Sequence, residues 1–477
     1  MMKLKALGPY SLSIVSILLG VGCGMPAIAA SPFEVWLVDQ SNSPGLNYGG
    51  NIAIYDGSAL TLGSSPLSGV TPQKTIDLSG LGGQTGLCST TTGTNPVRPH
   101  MLLFNSTYTH AVLSFVASGH VAIFDTATYD PVACLRTAQG VGGVRQAHAA
   151  FPALDDSYIL VANQNGKLLE RIDTNYQNNL FTLNPAATLN LATCTTPNGN
   201  ACEQTEVRPD NAPICPMLNS SSNLGFITLR GGGLFVVDPK SNPMKILAEY
   251  DRTTVHGNGC GGIETGGSMY INSGAGSQSE NPSEFDVYQF PLSGYSPSNL
   301  PNQPGITTIF SDDTTPMRDS HGMIAVGEYL WVADRGLNLI EVFDITSNNR
   351  VNTIDLIGET PDLIDISPDG NQVYISLRGP NPLSGSAHVA AGTTPGLMVI
   401  DVLQGGKTGQ IKGVIPISNI DRGIERADGH GIRVRQIQPV PEPSSTLSLL
   451  ALGTLGAGSV LQRQQKQKSA ISVTDKL

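Results

Sequence analysis

The chain has 477 residues, 14% of them charged, and a formal net charge of −11. An acidic surface of that kind excludes nucleic acid and anionic membrane as partners. Glycine (54) and proline (32) are abundant, which suits many short strands joined by tight turns and argues against a helical bundle.

At the N-terminus Lys3 and Lys5 precede an apolar run from Leu12 to Val21 and the small residues Ala27-Ile28-Ala29-Ala30. This is a secretory leader with its cleavage site, so residues 1–30 are read as removed and the mature chain as starting near Ser31. The run is short for a permanent span. Cys23 follows Gly20-Val21-Gly22 without the leucine of a lipoprotein signal. Of seven cysteines, Cys23 leaves with the leader and six remain, an even number in an oxidising compartment. Cys194 and Cys202 bracket a polar loop and are the leading disulfide pair.

Residues 31–437 repeat a pattern of strands that end in aspartate after two bulky residues. Ile54-Tyr55-Asp56, Ile123-Phe124-Asp125, Arg171-Ile172-Asp173, Val236-Val237-Asp238, Val342-Phe343-Asp344 and Ile400-Asp401 are such endings, and Phe285 to Gln289 is a seventh strand without one. A β-rich run precedes each. The most regular unit reads His321 to Val326, Tyr329 to Ala333, Leu339 to Asp344 and Val351 to Leu356. Four short antiparallel strands per repeat make the blade of a β-propeller. The first unit has only Phe33 to Val38, Asn51 to Tyr55 and Lys74 to Leu78. Its missing innermost strand is Gly431 to Arg435, so the expected fold is an all-β, seven-bladed β-propeller closed by one C-terminal strand beside three N-terminal ones. The repeated aspartates are expected to close turns on nearby amides.

The wording at Ile366-Ser367-Pro368-Asp369-Gly370, at Val373 to Ser376 and at Tyr158 to Asn163 resembles YVTN-type propellers, loosely over residues 31 to 437. The resemblance implies a fold and leaves the function open, since propellers host lactonases, oxidoreductases, lyases and binding modules.

The chemistry lies in eight histidines. His100, His148, His256, His321 and His430 stand at or just before the start of an innermost strand, where one shared register would turn them toward the axis. His110, His120 and His388 fall elsewhere. Clustered neutral imidazoles suit a transition metal, copper or iron before zinc. In the two units that break the pattern, Cys215 and Asp362 stand near that position as further ligand candidates, while Cys260 is either a ligand or the partner of Cys215 in a disulfide. The arrangement is similar to the axial histidine rings of nitrous oxide reductases and carotenoid oxygenases, and to no other motif of those families. An arginine precedes each histidine: Arg98, Arg145, Arg252, Arg318 and Arg426. These either hold a small acidic ligand at the channel mouth or pair with loop acids such as Asp251, Asp319, Glu425 and Asp428.

The C-terminus carries Val440-Pro441-Glu442-Pro443, a mostly apolar stretch from Thr446 to Leu461, and the basic residues Arg463, Lys466 and Lys468. Residues 438–468 thereby resemble a PEP-CTERM sorting tail with a short transmembrane helix, and 469–477 form a polar tail. The resemblance implies an exosortase-type processing enzyme, a membrane-anchored stage, and release to a cell surface or matrix rich in extracellular polysaccharide. Three functions remain open: a metal-dependent enzyme, a non-catalytic surface or matrix binding module, and a lactonase-like hydrolase.

Overall fold

The computed structural model describes residues 32–62, 67–276 and 283–437. The expected leader and sorting tail lie outside them. Among the described residues no helix is long and apolar enough to cross a membrane.

The domain is all-β, built from antiparallel sets of four strands that follow one another along the chain. Pro99–Phe104, His110–Phe115, His120–Asp125 and Pro131–Arg136 form one set in sequence order. Its second strand is buried throughout, whereas its fourth is mostly half-exposed. The same gradient separates Gln372–Leu377 from Thr408–Pro416. Strands buried on both faces need apolar residues at almost every position, which is how Val112, Leu113 and Phe115 read.

Adjacent sets share their cores. Trp36, Val38, Ile52 and Ile54 pack with Leu102, Ala111, Leu113 and Phe115. On the other face of the same sheet Val35, Leu37 and Tyr55 join Tyr374, Leu397 and Val399, near the C-terminal end of the domain. The chain ends there by returning to its start, because Gly429–Gln436 pairs antiparallel with Phe33–Asp39, Val35 opposite Val434 and Leu37 opposite Ile432. The order of that sheet is Lys74–Asp77, Asn51–Asp56, Phe33–Asp39, Gly429–Gln436.

The strand-ending aspartates cap turns: Asp125 Oδ1 accepts from the amides of Ala127 and Thr128 at 2.8 and 3.0 Å, and Asp344 Oδ1 from Ser347 at 2.7 Å. All six cysteines among the described residues are paired, as Cys88–Cys134, Cys194–Cys202 and Cys215–Cys260. Cys215 and Cys260 are therefore a disulfide and not thiolate ligands.

One irregularity recurs and positions the site. The ladder between the first and second strands slips between Pro99 and Leu102, Ala147 and Ala149, Pro213 and Pro216, Ser320 and Met323, and Pro361 and Ile364. In the sheet that joins Phe33–Asp39 to Gly429–Gln436 it slips around His430. A β-bulge bends its strand and re-aims a side chain. The residue so displaced is His100, His148, Ile214, His321, Asp362 or His430.

Candidate functional site

A second hydrogen bond marks the same register in every set. The amide at the end of the second strand bonds the carbonyl two residues before the displaced residue: Val116 to Arg98, Gln164 to Gln146, Arg230 to Ala212, Arg335 to Asp319, Arg378 to Thr360 and Gln40 to Asp428. In the set containing Ser268–Gly274 the bond runs from Gly274 to Gly257, which places Gly259, not His256, at that position. Three carbonyls at the register confirm the equivalence. Ser114 Oγ donates to His148 O at 3.0 Å, Thr228 Oγ1 to Gly259 O at 2.5 Å and Ser376 Oγ to His430 O at 2.6 Å. A side chain at Gly259 would begin 1.8 Å from the carbonyl oxygen of Asn272, so this set presents none.

The structure therefore brings four of the five expected histidines to one place. His100 Nε2 lies 3.1 Å from His430 Nε2 and 3.3 Å from His148 Nε2, and the His100 and His430 rings stack at 3.8 Å. The outer nitrogens of two rings are held from behind: His148 Nδ1 donates to Ile214 O at 2.9 Å and His430 Nδ1 to Asp362 Oδ2 at 2.6 Å. Those bonds fix the tautomers and point the Nε2 atoms inward. His321 Nε2 sits 2.9 Å from Asp362 Oδ1, off the line a hydrogen bond needs, and both atoms are buried without such a partner.

Asp362 is the anchor of this layer. Arg378, fully buried, donates to Asp362 Oδ2 at 2.6 Å and to both oxygens of Asp428 at 2.7 and 2.9 Å. Burial would raise the Asp362 carboxyl, but His430, Arg378 and His321 together hold it well below the usual range. It stands behind the histidines as a carboxylate that orients them.

Burial, reinforced by His430 and His148, pushes His100 well below the ordinary imidazole value. Burial likewise takes His148 down to about 3, and burial with Arg335 nearby takes His321 to about 4. These three rings are neutral in the fold near pH 7 but take protons near 6.5 once unfolded. Between those values the unfolded chain binds more protons, so acid destabilises the fold, by about 1.4 kcal/mol per pH unit for each histidine. The urea midpoint of metal-free protein is expected to fall steadily from pH 6.5 to 4.5, and His148→Gln to flatten the slope. A midpoint that rises over this range would mean the rings are charged in the fold.

Above the histidines opens a cavity of about 560 Å³ lined, among the described residues, by Arg98, Arg145, Arg230 and Arg335, with Gln146, Gln164, Asn165 and Asn258 and no carboxylate. Arg335 is tied to Asp319 at 2.7 Å and Arg230 to Asp210 at 2.5 Å. Arg98 and Arg145 form no ion pair among the described residues and bond only to the carbonyls of Leu383 and Thr137. Burial lowers the Arg98 pKa, so an anion in the cavity would relieve the cost of its charge.

The other three expected arginines do not meet there. Arg318 is consumed by buried ion pairs with Asp312, Asp334 and Glu341. Arg252 is half exposed, 3.5 Å from Glu206. Arg426 is half-buried away from the cavity, its amide on Asn419 O. Arg230 and Arg335 were missed because they follow the second strand instead of preceding the first.

His256 stands in a separate recess with Arg252, Glu284 and Asp313. Its three-residue offset from Gly259 keeps it away from the four clustered histidines. Asp286 Oδ2 accepts from its Nδ1 at 2.9 Å and raises its pKa. Burial beside Asp286 pushes Glu284 up to about 8. Outside both sites, His110 Nε2 meets Asn179 and His120 Nε2 meets Thr92, at 2.7 and 2.8 Å.

Residues 439–464 match the PEP-CTERM protein-sorting motif. None of the curated proteins matches the chain in sequence. Among solved structures the domain is similar to a periplasmic gluconolactonase of Pseudomonas aeruginosa, with a TM-score of 0.53 and 13% identity over 86% of this chain and 100% of that one. It is also similar to a putative 6-phosphogluconolactonase of Bacteroides fragilis, at 0.52 and 12% over 86% and 99%. A protein from Lactobacillus plantarum scores 0.53 at 12%, over 84% and 99%. At such identities the likeness shows a shared propeller-like fold and nothing of the chemistry.

Proposed function

We propose that this chain is an exported, surface-sorted, seven-bladed β-propeller whose axial histidines bind one transition-metal ion beneath a mouth that takes a small anionic molecule. The ring closes through the C-terminal strand Gly429–Gln436 beside three N-terminal strands. The leader, residues 1–30, directs export, and the sorting tail within 438–468 holds the protein at the membrane until an exosortase-type enzyme releases it to the cell surface or matrix.

One observation carries the metal. His148 and His430 spend their Nδ1 protons on Ile214 and Asp362, so each faces His100 with Nε2. Neutral His100 has a single proton, and one proton on its Nε2 cannot serve neighbours at both 3.1 and 3.3 Å. A cation bound there would take up lone pairs that no proton satisfies, because ligands at about 2.0–2.1 Å from one ion stand roughly 3–3.5 Å apart, the separation of His100 from each of its two neighbours. Three imidazoles without thiolate suit copper or iron, and zinc with an open position toward the cavity. Such an ion supplies Lewis acidity or redox change. The chain's own residues orient the rings through Asp362 and Ile214, and Arg98 and Arg145 hold a carboxylate or phosphate above them.

Elemental analysis of the purified protein is expected to give about one equivalent of copper, iron or zinc, with His148→Ala retaining less than about a tenth of it. Metal content unchanged in His148→Ala would retire the site.

A second reading, a metal-independent lactone hydrolase, draws support from the names of two structural neighbours and from an arginine-lined cavity that suits an acidic sugar lactone. Turnover of a phosphorylated aldonolactone that survives chelation would favour it. Absence of both metal and turnover would leave a binding module of the surface or of the polysaccharide matrix.

A further inference from the structure

We infer that the recess formed by His256, Glu284 and Asp286 is a second, carboxylate-rich site for a divalent first-row cation, independent of the axial histidines. Glu284 and Asp286 are two apart on the strand Ser283–Pro291 and therefore point to one face. His256 reaches them from the loop before Gly257, and its backbone is tightly held. Its amide donates to Tyr288 Oη at 3.1 Å, its carbonyl accepts from Ser273 Oγ at 2.8 Å, and the following amide of Gly257 donates to Glu284 Oε1 at 3.1 Å. One ligand atom from each of the three residues lies within 4.8 Å of the other two.

The independent sign is Asp286. Its side chain is fully buried, Oδ2 bonds His256, and Oδ1 has no hydrogen-bond partner. A buried carboxylate oxygen without a donor costs free energy that a bound cation would recover. The recess, of about 260 Å³, also receives Asp313. Arg252, also on its wall, faces Glu206 at 3.5 Å. Three carboxyl groups thus surround one imidazole. One nitrogen with two or three oxygens suits manganese or zinc, whereas the all-imidazole axial set suits copper or iron.

Manganese is the probe, titrated into the metal-stripped full chain at pH 7.5 and followed by electron paramagnetic resonance. The expected result is one bound equivalent that His148→Ala leaves in place, and that Glu284→Gln and Asp286→Asn each weaken by more than about tenfold. Urea midpoints without metal check that both variants are folded, and Glu284, half exposed at the recess, is the safer substitution. No bound manganese in the wild-type chain, or binding unchanged in folded Glu284→Gln, would overturn the assignment. Because the readout is insensitive to His148, failure here leaves the axial reading standing, and the converse also holds.

Discussion

A chain that stops at Arg426 is expected to show no cooperative unfolding transition. The missing segment supplies Gly429–Gln436, which pairs with Phe33–Asp39 and buries Ile432 and Val434 in the shared core. It also removes Asp428, which accepts two bonds from Arg378, and Arg435, whose Nη1 is 2.9 Å from Glu34. Stripping one partner from a buried ion pair costs about 3–5 kcal/mol, and each further buried polar group left unpaired about 1–3. Those losses, with the apolar contacts and an open edge on a central strand, meet or exceed a native stability of about 5–15 kcal/mol. Urea titration followed by near-ultraviolet circular dichroism should be flat. A peptide of residues 427–437 added in trans should restore a transition, as strand addition does elsewhere. Cooperative unfolding of the shortened chain alone would mean that the fold does not depend on the strand Gly429–Gln436.

The second large effect falls on Asp362. Asp362→Ala leaves Arg378 with Asp428 and the Ser384 carbonyl, deprives His430 Nδ1 of its acceptor, and removes the negative charge 2.9 Å from His321. A loss of about 3–5 kcal/mol in stability is expected, together with a metal affinity reduced by about 10–100-fold, since the carboxylate sets the orientation of a ligand ring. Asp362→Asn separates the two effects. Its amide oxygen still accepts from one of these donors, so stability should recover in part while affinity stays low. Unfolding and metal titrations on both variants decide this. Equal metal affinity in Asp362→Asn and wild type would show that Asp362 serves the fold alone.

Strand content and the N-to-C pairing were legible in the sequence because they rest on short-range signals. Aspartates such as Asp125 and Asp344 recur where a turn needs an acceptor, and the first unit is visibly short of an inner strand that Gly431 to Arg435 supplies. The axial cluster was legible only in part. His256-Gly257 and His321-Gly322 read alike as dipeptides, but the axial position is fixed by where the ladder slips and by the bond from the second strand, and that register lands on Gly259. The mouth was misread for a related reason. Arginines were sought ahead of each histidine, whereas Leu229-Arg230, Asp334-Arg335 and Leu377-Arg378 share a position just past the second strand. That repeat was present in the sequence, but its meaning depends on knowing which strand end faces the axis.

The most direct test of the axial metal is anomalous diffraction from crystals of the protein as purified, recorded on both sides of the copper, iron and zinc edges. The account predicts one peak about 2.0–2.2 Å from Nε2 of His100, His148 and His430. A map with only ordered water between those nitrogens, or with metal at the His256 recess alone, would contradict it.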